Sequence, residues 1–171
     1  LSAVSVILLM TPFLRTPLIP AVPFLEYDAM DVPILIGGFF YGPVAGLCIT
    51  LISALIQGLT VSSASGPYGI IMHIIATGAF VTTASFIYRK KSDTVGALIG
   101  LICGTLAMTL IMIPANLIIT PLFLGMPTSA IKELLIPGII PFNFLKAAIN
   151  SAVTFLLYVP VKKVIKRPVS V

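Results

Sequence analysis

Charge is what this chain has least of. Only 9% of its 171 residues are Asp, Glu, Lys or Arg, and five of these are acids, whereas soluble domains carry about a quarter. With 58% hydrophobic residues and a mean hydropathy of +1.17, the composition excludes a soluble globular domain and identifies an integral membrane protein. Catalytic equipment is equally sparse. The chain has one histidine, no HExxH and no GxSxG, which argues against an intramembrane enzyme. It has no GxxxxGK[ST] loop, so it does not bind and hydrolyse ATP in the P-loop manner, and active transport would need energy from another subunit. Two cysteines, Cys48 and Cys103, match no metal or redox spacing; they read as small core hydrophobes, with a disulfide as the alternative. Tryptophan is absent. No basic run precedes the first apolar stretch, so no signal peptide is visible and the chain reads as beginning partway through its first helix.

Proline and glycine are plentiful instead, and with charge they divide the chain into about six apolar pieces of the kind that cross a bilayer. The first runs from 1 to about 15. Residues 16–31, TPLIPAVPFLEYDAMD, hold three prolines and three acids and read as a loop. A short second helix, 32–41, meets a Gly42-Pro43 break and continues as a third, 44 to about 60; SSASGP at 62–67 is a turn. A fourth helix spans 68–88 and a fifth 94–113, where Pro114 should kink the chain. The sixth covers about 137–161. The expectation is a single domain over 1–171: an all-α, six-transmembrane-helix bundle.

Short cytoplasmic loops collect Lys and Arg. Arg89, Lys90 and Lys91 follow the fourth helix, and Lys162, Lys163, Lys166 and Arg167 follow the sixth, which places both termini in the cytoplasm and turns 16–31, 62–67 and 121–137 outward. The net charge of +5 is then a topological signal rather than a nucleic-acid site, and the C-terminal bases suit anionic lipid headgroups. Gly38, Gly42 and Gly46, and again Gly96, Gly100 and Gly104, recur at intervals of four. Such stripes allow close helix packing inside the bundle or present a smooth face to a partner subunit. The first stripe is interrupted at Gly42-Pro43.

Polar residues at membrane depth are functional candidates because burying them unpaired is costly. FNFLKAAIN places Asn143, Lys146 and Asn150 on one helical face of an otherwise apolar run. By the topology above, Asn116, Asn143 and Lys146 reach a similar depth near the outer face, which suggests a pocket open to the outside. Snorkelling is the plain alternative for Lys146. Asn150 lies two turns deeper and reads as a ligand contact or as interhelical glue; His73 and Gln57 read as hydrogen-bonded helix contacts. Glu26, Asp28, Asp31, Asp93 and Glu133 all map to loops or helix ends, so a transporter powered by midplane acids is disfavoured.

PFLEYDAMDVPILIGGFFYGPVAG resembles the first loop and second helix of the substrate-binding S components of energy-coupling factor (ECF) vitamin transporters, with Asp28, Asp31, Val32 and Pro33 as its DxxDVP element. NLIITPLFLG and IIPFNFLKAAIN resemble the riboflavin-specific branch. AMD stands where FSD is more usual. The resemblance covers nearly the whole chain and implies a six-helix S component in a bacterial cell membrane. Such a component captures a vitamin, here riboflavin, from outside and docks on a membrane scaffold subunit that carries two ATPase subunits, with no cofactor of its own. It implies that Asn116, Asn143 and Lys146 bind the flavin, that Phe24, Leu25 and Tyr27 line and lid the site, and that Asp31 stands at its edge. A docking motif of small residues four apart in the first helix is represented by Ala3 alone.

Chemistry of the residues agrees with a flavin. A flat tricyclic ring with an edge of carbonyls and nitrogens suits an apolar pocket with a few placed polar groups. Asparagine supplies donors and acceptors, lysine donors only, and Phe24, Tyr27, Phe39, Tyr68 and Phe142 are candidate walls. Read this way, methionine at position 146 would weaken binding and spare the fold. Another vitamin or small precursor, or a ligand-free structural or regulatory membrane subunit, are the alternatives.

Overall fold

The structure is a computed structural model that describes residues 1–11, 16–60 and 65–165, with the side chains of Leu9, Val164 and Ile165 not among them. Arg15, residues 62–64 of the SSASGP turn, Lys166 and Arg167 therefore lie outside the described residues. In chain order come α1 (Ser2–Met10), a two-residue antiparallel ladder of β1 (Thr16–Pro17) and β2 (Glu26–Tyr27), α2 (Asp31–Tyr41), α3 (Pro43–Leu59), α4 (Gly66–Lys90), α5 (Thr94–Leu124), α6 (Thr128–Leu134), a π-helical turn at Leu135–Ile139, and α7 (Ile140–Ile165). The fold is all-α. Among the described residues, three stretches, Gly66–Lys90, Thr94–Leu124 and Thr128–Lys163, are long and apolar enough to cross a membrane, while α2 and α3 are shorter apolar helices. Leu51, Leu55, Phe86, Leu110, Ile118 and Leu156 are exposed on the outside of the bundle, an apolar surface suited to lipid rather than water.

Glycine decides how closely the helices approach. Gly42 has φ 93°, a conformation open to glycine at little cost, and Pro43 opens α3 at the position where its missing N–H is no loss. This break folds α2 against α3, so that a Cβ on Gly46 would stand 3.1 Å from Gly38 Cα. A Cβ on Gly100 would stand 2.6 Å from the Ala84 carbonyl, and one on Gly104 2.9 Å from that of Phe80. Gly38, Gly46, Gly100 and Gly104 thus serve internal packing, the first pair between α2, α3 and α4 and the second between α4 and α5. Pro114 does not end the fifth helix: α5 continues through it and Pro121 to Leu124 and stops at Gly125, which is left-handed. Helices buried among other helices tolerate prolines in this way. Cys48 is exposed and both cysteines are free, so Cys48 is a surface residue rather than a core hydrophobe and no disulfide forms.

The two ends of the bundle differ. Near the Gly42 break, which lies beside Arg89, Tyr88 and Tyr158 share a hydrogen bond of 2.9 Å, Lys162 donates to Tyr158 Oη at 2.6 Å, and Phe39 packs 4.7 Å from the Tyr88 ring. Phe39 is thereby a core residue of that end and no pocket wall. At the other end the loop between β1 and α2 closes over the bundle. Val22 is fully buried with Ile131, Ile139 and Phe142, and it packs into the space left by the missing side chain of Gly138.

Candidate functional site

The length of α2 explains how the site is built. Eleven residues at 1.5 Å each make a helix of about 16 Å, roughly half of a bilayer's hydrocarbon core. The loop before it packs down onto the bundle beyond the start of α2, with Val22 buried against Ile131, Ile139 and Phe142. Asp28 and Asp31, acids of a loop and a helix start, are for that reason 4% and 0% exposed.

Both acids are tied to α7 and α4. Lys146 Nζ donates to Asp28 Oδ2 at 2.7 Å, forming a buried ion pair. Asp28 Oδ1 accepts the Met30 N–H at 3.1 Å, which turns the loop into α2. Asn150 is shared three ways: its Nδ2 donates to the Asp28 carbonyl at 3.1 Å and to Asp31 Oδ2 at 3.0 Å, and its Oδ1 accepts from Tyr27 Oη at 3.0 Å. Asp31 Oδ1 accepts from Thr77 Oγ1 at 2.6 Å, and Thr77 lies 3.3 Å from His73 Nε2.

Beside this network is a cavity of about 380 Å³, within the ~300–1,000 Å³ of small-molecule sites. Phe24, Leu25, Tyr68, Phe142, Asn143 and Lys146 line it, all residues that the sequence offered for the site or its walls. Asn143 follows the π-helical turn and spends one amide hydrogen on the Ile139 carbonyl at 2.8 Å, which leaves Oδ1 and a second hydrogen for the cavity. Four expected residues lie elsewhere. Asn116 bonds within its own helix, giving to the Met112 carbonyl at 2.8 Å and accepting from Thr120 at 2.9 Å; Thr120, not Asn116, reaches the wall. Asp31, Tyr27 and Asn150 belong to the network that holds the loop, so Asp31 is behind the site rather than at its edge. Lys146 does not snorkel: it is 8% exposed and paired. A methionine there would leave Asp28 without its counter-ion, contrary to the expectation that the fold would be spared.

His73, Gln57 and Asp28 also line the cavity, and sequence reasoning gave none of them that place. For His73 the signal was present in the spacing: Tyr68, Gly69, Met72, His73 and Ala76 all line the wall from α4 and recur at helical intervals. A larger hollow of about 670 Å³ lies between α1, α2, α3 and α7, but Leu8, Ile36, Ile49 and Leu157 give it an apolar lining with little to orient a polar ligand.

Residues 1–158 match the family model described as "ECF transporter, substrate-specific component". The riboflavin transporter RibU of Staphylococcus aureus is 33% identical over 173 residues, covering 98% of this chain and 90% of its own. The riboflavin transporter FmnP of Bacillus subtilis is 33% identical over 152 residues, covering 84% and 80%. A solved structure described as the S component of a bacterial ECF transporter superposes with a TM-score of 0.82 at 33% identity, over 97% of this chain and 93% of that one. The two curated relatives are named transporters, and this chain belongs to the family of substrate-specific components of ECF transporters, a transporter component and not an enzyme.

Proposed function

We propose that this chain is a riboflavin-specific S component, which captures the vitamin in the cavity under the loop before α2. The carrying observation is that one apolar cavity, walled by Phe24, Tyr68 and Phe142, has Lys146 and Asn143 on its lining. An aromatic ring with a polar edge fits such a lining, and relatives at 33% identity are named riboflavin transporters. Phe24, Leu25, Tyr68, Asn143 and Lys146 contact the flavin, while Tyr27, Asp31 and Asn150 hold the loop over it, and Asn116 supports the wall through Thr120.

The chain crosses the bacterial cell membrane six times, with both termini cytoplasmic. Arg89, Lys90 and Lys91 at the end of α4 and Lys162 and Lys163 near the end of α7 face the cytoplasm, so the cavity opens outward. A membrane scaffold subunit with two ATPase subunits supplies the energy that this chain has no P-loop to draw from ATP. Purified protein should quench riboflavin fluorescence with saturable, one-site binding. In liposomes without partner subunits it should bind riboflavin but not concentrate it. Absence of binding, or uphill uptake driven by a proton or sodium gradient, would overturn this reading.

A further inference from the structure

We propose that His73 is a specificity-determining contact of the cavity, offering the lone pair of its Nδ1 to a hydrogen-bond donor of the ligand; this rests on the riboflavin reading above. Thr77 has one hydroxyl proton, and the Asp31 carboxylate oxygen at 2.6 Å takes it, since a carboxylate only accepts. His73 Nε2 lies 3.3 Å from the same Thr77 oxygen. With its proton already given away, that oxygen can only accept, so the proton of the neutral ring sits on Nε2 and Nδ1 is bare. Asp31 is itself fixed by Asn150 at 3.0 Å. The tautomer of a cavity residue is thus set by the same bonds that hold the loop.

His73 shares the lining with Lys146 and Asn143. Lysine brings donors only, and Nδ1 brings an acceptor only, so the pair recognises a ligand that presents acceptors and a donor close together. Riboflavin has such groups in two places. Its ring edge carries an imide N–H between two carbonyls, and its ribityl chain carries hydroxyls.

The chain has one histidine, so ¹⁵N-histidine labelling of the full chain in detergent reports two ring nitrogens and no others. Nitrogen NMR should show Nε2 protonated and Nδ1 bare in the free protein, and the Nδ1 resonance should move when riboflavin saturates the site. A proton on Nδ1 in the free protein, or an Nδ1 signal unmoved by bound riboflavin, overturns the inference while leaving the flavin reading intact. Failure of riboflavin to bind removes both. Binding gives the second arm. His73→Ala should weaken riboflavin about tenfold. Against either an imide-N-methylated riboflavin or lumiflavin, which lacks the ribityl chain, the same change should cost less than about twofold, because the matching donor is already gone. The insensitive analogue identifies the donor, and equal losses for all three ligands overturn the inference. Should His73→Ala fail to fold, the NMR of the unaltered chain decides alone.

Discussion

Lys146 and Asp28 each make the other tolerable at membrane depth. At 2.7 Å, with side chains 10% and 6% exposed, the pair is of the kind where loss of one partner costs about 3–5 kcal/mol. Lys146→Met should therefore lower both riboflavin affinity and thermal stability in detergent. Adding Asp28→Asn should recover most of the stability and none of the affinity; stability unchanged in the single variant would show that the pair does not hold the loop. Tyr27→Phe removes one bond to Asn150 worth about 0.5–1.5 kcal/mol. Stopped-flow release of riboflavin should then quicken by about two- to tenfold, and an unchanged rate would mean that this bond does not restrain the loop. Lys146 and Asn143 were legible in the sequence because a polar residue in an apolar run stands out. Asp28 was not, because an acid in a proline-rich loop ordinarily meets water, and only the loop's depth in the bundle makes it a partner for Lys146. Asn116 misled for a related reason: a polar residue in an apolar run stands out whether it faces a cavity or, as here, satisfies its own helix.

At the scale of elements, α4 and α5 are joined along Gly100 and Gly104, where the nearest atoms to an added Cβ include the Ala84 and Phe80 carbonyls. Backbone cannot rotate aside as a side chain can. Gly100→Val should force the helices apart and reduce the yield of folded, flavin-binding protein. Gly125→Ala, where nothing lies within 4 Å but φ is 64°, should cost only the roughly 1–2 kcal/mol of left-handed strain. Equal melting temperatures for these two variants would contradict the packing. The helices were legible from apolar length and from glycine and proline punctuation, but the end of α5 was not. A proline reads as a stop when neighbours are unknown, and the surrounding helices carry α5 through two of them. The π-helical turn before α7 has no sequence signal beyond Pro137 and Gly138, and it is where Asn143 acquires its bond to Ile139.

For the whole molecule, the arrangement predicts opposite exposure of two connections. In a background with Cys48→Ser and Cys103→Ser, Met126→Cys between α5 and α6 should react with an impermeant thiol reagent on intact cells, and Ser92→Cys between α4 and α5 should not; the reverse pattern would invert the orientation. The bundle's half-length α2 has a further consequence for biogenesis. Roughly 16 Å of apolar helix is too short to partition into the bilayer as an independent stop or start, so on the proposed topology α2 should enter as one hairpin with α3, turning at Gly42. The preceding loop can only settle to its final depth after α4 and α7 stand beside that hairpin, because Thr77 and Asn150 are what receive Asp31 there. Vitamin binding therefore requires α7 to be in place, and chains truncated before it should integrate into the membrane without binding the vitamin.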